Sequence, residues 1–164
     1  MEMGRFCTSS RVLIVAGKGG VGKTTTTAAL AVAAARTGAS VLIVEVEGKS
    51  GLSRCFGASP LEYSDAELGP GVRGRTLTPD RALLEYLEDR GLRRISKRLV
   101  RSGALDIVAT AVPGMRDILV LGKVKQLEQG GAADLILIDA PAAGQRRGKM
   151  VADSFKVLVY GMEK

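Results

Sequence analysis

The chain has 164 residues, enough for one domain with a buried core. Its hydrophobic share is 46% with aromatics at only 4%, so Val, Leu, Ile and Ala must do the packing, as in a parallel α/β sheet with buried strands. A net charge of +7 without histidine excludes imidazole as acid, base or metal ligand and favours acidic partners, whether nucleotide, nucleic acid or anionic lipid.

No stretch reaches the roughly 18 consecutive apolar residues of a membrane span, and the N-terminal apolar run is too short for a signal peptide. The expectation is a cytoplasmic protein, peripheral to a membrane at most. Cys7 and Cys55 lie too far apart for a disulfide framework or a zinc site. Both are expected as reduced thiols, Cys55 packed in the fold and Cys7 in a loose leader.

Residues 1–10 carry no periodicity and read as a disordered leader. Arg11 to Ala16 follows as an unbroken apolar strand suited to the centre of a sheet. Gly17-Lys18-Gly19-Gly20-Val21-Gly22-Lys23-Thr24-Thr25 then fills the frame G-x-x-x-x-G-K-[ST] of a phosphate-binding loop between a strand and a helix. Glycines let several backbone N–H groups converge on one anion, and the start of the next helix adds its dipole. Lys23 is expected on the β- and γ-phosphates, the Thr24 hydroxyl on Mg²⁺, and Thr25 on the α-phosphate. From Lys23 to Thr37 the small residues suit a helix pressed on the sheet, closed by Gly38.

The second lysine of K-G-G-x-G-K-T, Lys18, makes this loop resemble the deviant phosphate-binding loop of one ATPase class. That class contains the arsenite-efflux and tail-anchored-protein-targeting ATPases together with the chromosome-partitioning and septum-site ATPases. The resemblance implies that Lys18 crosses a dimer interface to the partner's nucleotide. A cation supplied in trans neutralises charge on the transferred phosphoryl, a role worth about 10³–10⁵ in rate when an arginine plays it.

Val41 to Val46 reads as the second strand, with Glu45 and Glu47 at the carboxyl end where parallel sheets present ligands. Gly48 to Gly57 reads as a loop or short helix. The arsenite-efflux and tail-anchored-targeting family carries its first switch here, T-D-P-A-H-x-L-x-D-x-F, and Glu47, Leu52 and Phe56 fall in register with it. Glu47 stands where the resemblance implies an aspartate that orients water, Gly48 replaces the proline and Ser50 the histidine. An extra methylene moves the carboxylate by about 1 Å, a displacement that can cost about 10² in rate. Hydrolysis is thus less secure than binding.

Ser59 to Gly71, rich in Pro, Gly and acids, reads as surface loop, and Val72 to Leu77 as a strand. Thr78-Pro79-Asp80 supplies a cap, an N1 proline and a first-turn acid for a helix to about Asp89, with Leu83, Leu84 and Leu87 inward. Arg90, Arg93, Arg94, Lys97, Arg98 and Arg101 recur at helical spacing opposite Leu92, Ile95 and Leu99. This basic face is either a solvated helix surface or a patch for anionic lipid, nucleic acid or an acidic partner. The lack of interleaved aromatics argues against stacking on single-stranded bases.

A helix is expected over Ala104 to Ala111 and another over Met115 to Gln129. Pro113-Gly114-Met115-Arg116-Asp117 resembles the family's P-G-x-x-[DE], placing a client- or anion-handling region in these helices or else ordinary packing. Leu135 to Asp139 is a buried strand ending in an acid, and Asp139 is expected to hold Mg²⁺ directly or through water. Ala140 to Gly144 corresponds to the family's second switch, which implies that Gly144 senses the γ-phosphate through its N–H; Gln145 replaces the histidine there.

The likeness covers roughly Arg11 to Gly144. Residues 145–164 diverge, with only Phe155 to Tyr160 strand-like, and family ATPases are about twice as long, so a truncated chain or a shifted reading frame is expected. The expected fold is α/β, a doubly wound, mainly parallel sheet of the P-loop NTPase type with a helical insertion over about 78–129. The expected function is Mg-dependent ATP hydrolysis, with ATP and Mg²⁺ as cofactors, by a homodimer or a heterodimer with a paralogue. A partitioning-type ATPase holding DNA and a non-hydrolysing nucleotide binder are the alternatives. Two distant cysteines do not make a three-sulfur arsenite site.

Overall fold

The computed structural model describes residues 10–47, 51–105, 114–141 and 157–158. Its centre is built from three apolar runs: β1 (Val12–Val15), β2 (Val41–Val46) and β5 (Leu135–Asp139). Such continuous β-branched and leucine runs are stable only when both faces of a sheet are covered. With β3 (Ala66–Gly69), β4 (Val72–Leu77) and β6 (Val157–Leu158), they form a six-stranded sheet in the order β3-β4-β2-β5-β1-β6. The four inner strands run parallel, and β3 and β6 pair antiparallel at the two edges.

The period-2 alternation of strand side chains divides the core in two. On one face Leu13, Ile43 and Leu137 pack against Ala28, Ala31 and Ala34 of α1 (Lys23–Ala35). Alanines there let the helix backbone approach the sheet closely. On the other face Val12, Leu42, Val44, Ile136 and Ile138 pack against Val124 of α5 (Met115–Gln129). Helices on both faces make the sheet doubly wound, as expected.

α2 (Leu52–Cys55) is a single turn after β2. α3 (Pro79–Asp89) and α4 (Arg93–Ser102) precede α5 between β4 and β5. α3 is tied to α5 by polar bonds: Lys123 Nζ donates to Glu85 Oε1 at 2.6 Å, and Gln126 Nε2 donates to Asp89 Oδ2 at 2.9 Å. Tyr63 donates its hydroxyl proton to Glu85 Oε2 at 2.6 Å, fastening the strand-side loop to the same carboxylate. Burial pushes Glu85 up, but the Lys123 and Tyr63 hydrogen bonds outweigh it and leave the carboxyl below its ordinary range. Burial and then the Glu85 hydrogen bond raise the Tyr63 phenol well above its usual value.

Several expectations need correction. Ala66–Gly69 is a strand rather than loop. Pro70-Gly71 makes the tight turn into β4, with Gly71 at φ 74°, the left-handed value that such a turn demands of its second central residue. Polar composition masked a hairpin whose pairing partner supplies the stability. A Cβ on Gly74 of β4 would come within 2.6 Å of Leu68 Cδ1, so the glycine is what lets the edge strand cover the core.

Cys55 is exposed rather than packed, because its one-turn helix buries Leu52 and Ser53 instead. α1 ends at Ala35, two residues short of Thr37. Thr78 occupies the cap position of α3 without a side-chain capping bond. In α4 Ser96 is the buried residue, while Leu92 and Ile95, placed opposite the basic residues by the spacing, are exposed. The helix expected over 104–111 lies mostly outside the described residues.

Candidate functional site: the loop between β1 and α1

The parallel register places the carboxyl ends of β1, β5 and β2 side by side, with Val15 opposite Asp139 and Asp139 opposite Glu45. The loop leaving β1 rises over this edge and turns into α1. Gly22, at the cap position of α1, has φ 85°, which a side chain would strain. It offers no side-chain acceptor, and the first turn of α1 holds no acid. The first N–H groups of α1 are therefore left for a group from outside, and the helix dipole favours an anion there.

Lys23 sharpens this. It is only 9% exposed, yet among the described residues its ammonium makes one hydrogen bond, to the Lys18 carbonyl oxygen at 2.9 Å, and no carboxylate pairs with it. A buried cation left with a backbone carbonyl is costly unless an anion completes it. Phosphate does so, and the geometry therefore suits a nucleotide's phosphate chain. Lys18, Gly19, Gly20, Val21 and Gly22 are exposed, and Gly17 is half-buried beneath Val21 and the stem of Lys23.

The two residues expected at a metal ion, Thr24 and Asp139, are directly linked in the fold. Thr24 Oγ1 donates to Asp139 Oδ2 at 2.8 Å. Two ligand oxygens on adjacent vertices of an octahedral Mg²⁺ site, with bonds of 2.0–2.1 Å, stand about 2.9 Å apart. The pair thus fits Mg²⁺ with little movement. Thr27, one helical turn on, donates to the Lys23 carbonyl at 3.0 Å and lies 3.5 Å from Asp139 Oδ1. It was not singled out from sequence, although its spacing from Lys23 puts both on one helix face. Thr25 is exposed.

Glu45 lies in register with Asp139 on the neighbouring strand. It is 4% exposed beside Asp139, itself 1% exposed, and accepts a hydrogen bond from Thr76 Oγ1 at 2.9 Å. Its in-register position on the neighbouring strand was not readable without the pairing. Glu47 lies just past the end of β2, its N–H bonded to the Leu77 carbonyl at 3.0 Å, with φ at 65°. A non-glycine residue in the left-handed region is uncommon and strained, and such positions cluster at functional sites. Arg116 of α5 reaches it, Nη2 to Oε1 3.7 Å, and Arg116 Nε is buried without a hydrogen-bond partner.

The structure thus brings Lys18, Lys23, Thr24 and Asp139 together and sets Glu47 on the next strand over. Gly144, like Gly48 and Ser50, lies outside the described residues. No helix among the described residues is long and apolar enough to cross a membrane.

Comparison with known sequences gives the family. The model of the anion-transporting ATPase family matches residues 10–148. The chain is 39% identical to ATPase BagA of Mycobacterium tuberculosis over 147 residues, covering 82% of this chain and 43% of that protein. It is 29% identical to ATPase get3 of Schizosaccharomyces japonicus over 140 residues, 84% of this chain and 42% of the relative. ATPase ASNA1 homolog 1 of Paramecium tetraurelia is likewise 29% identical, over 80% of this chain and 40% of its own length. The chain therefore spans less than half the length of these relatives.

Proposed function

Because the chain belongs to the anion-transporting ATPase family, we propose that it binds Mg·ATP at the loop Gly17–Thr25 and hydrolyses it to ADP and phosphate. The carrying observation is Lys23, a buried ammonium whose described surroundings contain no carboxylate partner. In this reading the amides of Gly17 to Thr25 and the Lys23 ammonium hold the phosphates, while Thr24 and Asp139 hold Mg²⁺. The bound metal ion supplies neutralisation of charge on the β- and γ-phosphate oxygens. Glu47 orients the attacking water, and Gly144 senses the γ-phosphate.

Lys18 acts across a dimer, either of two copies or of this chain with a paralogue, and stabilises charge developing on the transferred phosphoryl of the opposite subunit. Its exposed position on the loop supports such a reach. The protein acts in the cytoplasm.

A second reading, nucleotide binding without turnover, is favoured by one observation: Glu47 is a glutamate in a strained backbone conformation and is held by Arg116. The experiment is titration of Mg·ATP into wild type, Lys23→Ala and Lys18→Ala, with phosphate release measured at several protein concentrations. The hydrolytic reading expects Lys23→Ala to lose binding, and Lys18→Ala to bind but turn over slowly. Turnover per chain should rise with concentration in wild type. Absence of turnover at every concentration, with binding intact, leaves the second reading.

A further inference from the structure

α4 is unusual in what it lacks. Its ten residues include Arg93, Arg94, Lys97, Arg98 and Arg101 and no acid. All five are exposed, and among the described residues none takes part in an ion pair. Arg93, Lys97 and Arg101 are spaced four apart, as are Arg94 and Arg98, so each faces a like charge one turn away, an arrangement that weakens a helix. Arg93 and Arg94 also sit in the first turn, where the helix dipole disfavours cations. A merely solvated helix gains nothing from either placement.

The five cations occupy one arc of a helix about 15 Å long. On either flank of that arc stand Ile95 and Val100, both exposed. The helix is fastened to the body from its remaining side, where Ser96 Oγ donates to Glu88 Oε1 at 3.1 Å and the Leu92 N–H to the Leu87 carbonyl at 2.8 Å. Left-handed glycines, Gly91 at φ 76° and Gly103 at φ 65°, bound it at both ends. The basic arc therefore faces outward on a short, anchored helix.

We propose that α4 is a docking surface for an anionic lipid bilayer, with the guanidinium and ammonium groups on the headgroups and Ile95 and Val100 entering the interface. Anionic headgroups relieve the repulsion along the arc, and the apolar flanks gain by leaving water. Duplex DNA would satisfy the cations but leave the flanking side chains against phosphate and solvent. α4 contributes no residue to the nucleotide site, so the inference is independent of the ATPase reading.

The test is co-sedimentation of the whole chain with vesicles of phosphatidylcholine alone and of phosphatidylcholine with phosphatidylglycerol in equal parts, across a salt series. A parallel titration uses random-sequence duplex DNA. Wild type should bind only the anionic vesicles. Each basic residue at such a surface contributes about a fivefold factor, so Arg94→Gln with Lys97→Gln and Arg98→Gln should lower partitioning about a hundredfold. Ile95→Ser with Val100→Ser should lower it further at high salt, where only insertion persists, while leaving nucleotide affinity unchanged as the check on folding. Equal binding by wild type and the charge-neutralised variant overturns the proposal. So does tighter binding to DNA than to anionic vesicles at equal salt, or indifference to the Ile95 and Val100 changes.

Discussion

Arg116, in the first turn of α5, holds its guanidinium 3.7 Å from the carboxylate of Glu47 at the end of β2. Glu47 precedes the helical segment and Arg116 belongs to its last helix, and their meeting ties that layer to the edge of the sheet where the phosphates are proposed to sit. If Glu47 orients water, Arg116 fixes where its carboxylate points. Arg116→Ala should then lower kcat about tenfold with little change in ATP affinity, since a misplacement near 1 Å costs up to about 10². Steady-state kinetics alongside equilibrium nucleotide binding separate the two. A tenfold loss of affinity instead would place Arg116 on the phosphates.

Glu47 itself offers a second measurement. Holding a non-glycine residue in the left-handed region costs about 1–2 kcal/mol. Glu47→Gly should therefore leave the fold as stable as wild type or more so in urea, while phosphate release falls to background. Loss of stability would mean that the carboxylate serves the fold.

Lys23 should behave oppositely in the presence and absence of ligand. An apolar side chain of similar length removes the desolvation cost of a buried charge that has no carboxylate partner among the described residues. Lys23→Met is expected to raise the midpoint of thermal unfolding of nucleotide-free protein by about 2–4 °C and to abolish the further rise that Mg·ATP gives wild type. Differential scanning fluorimetry with and without Mg·ATP reads both effects.

Thr24 and Asp139 should fail together. Because their side chains already meet at 2.8 Å, Thr24→Ala and Asp139→Asn are expected to weaken the magnesium dependence of nucleotide binding by similar factors, and the double variant by less than their product. A titration of Mg²⁺ at fixed ATP gives the comparison. Full additivity would show that the two act separately.

Glu85 sets an acid limit on the helical layer. Its carboxyl titrates below the ordinary range in the fold because the Lys123 and Tyr63 hydrogen bonds outweigh burial. Its contribution is complete above the unfolded value of about 4.3 and is lost as pH falls through the lower folded value. Urea midpoints measured over this acid range should drop more steeply for wild type than for Glu85→Gln.

The parallel core and the loop were legible because their signals are local. Val12 to Val15 and Leu135 to Asp139 are unbroken apolar runs, and Gly17 to Thr24 is a contiguous frame whose residue types follow from phosphate chemistry. What is not legible locally depends on register or on distant partners. Glu45 looks like any strand-end acid until β2 pairs with β5, and Arg116 is an ordinary helix residue until α5 is laid across the sheet. The β3 hairpin was hidden for the same reason: Ala66 to Gly69 carries little strand propensity and is held by its pairing with β4. The exposure of Leu92 and Ile95 contradicts helical periodicity because α4 is fastened through Ser96 rather than through its leucines.

The crowding of Glu45 against Asp139, with Lys23 nearby and given no carboxylate among the described residues, bears on how much of this protein persists in a cell. A ligand that completes such a site protects the chain by mass action. Abundance should accordingly follow the supply of nucleotide, since molecules caught empty open more often and are the ones that proteases remove.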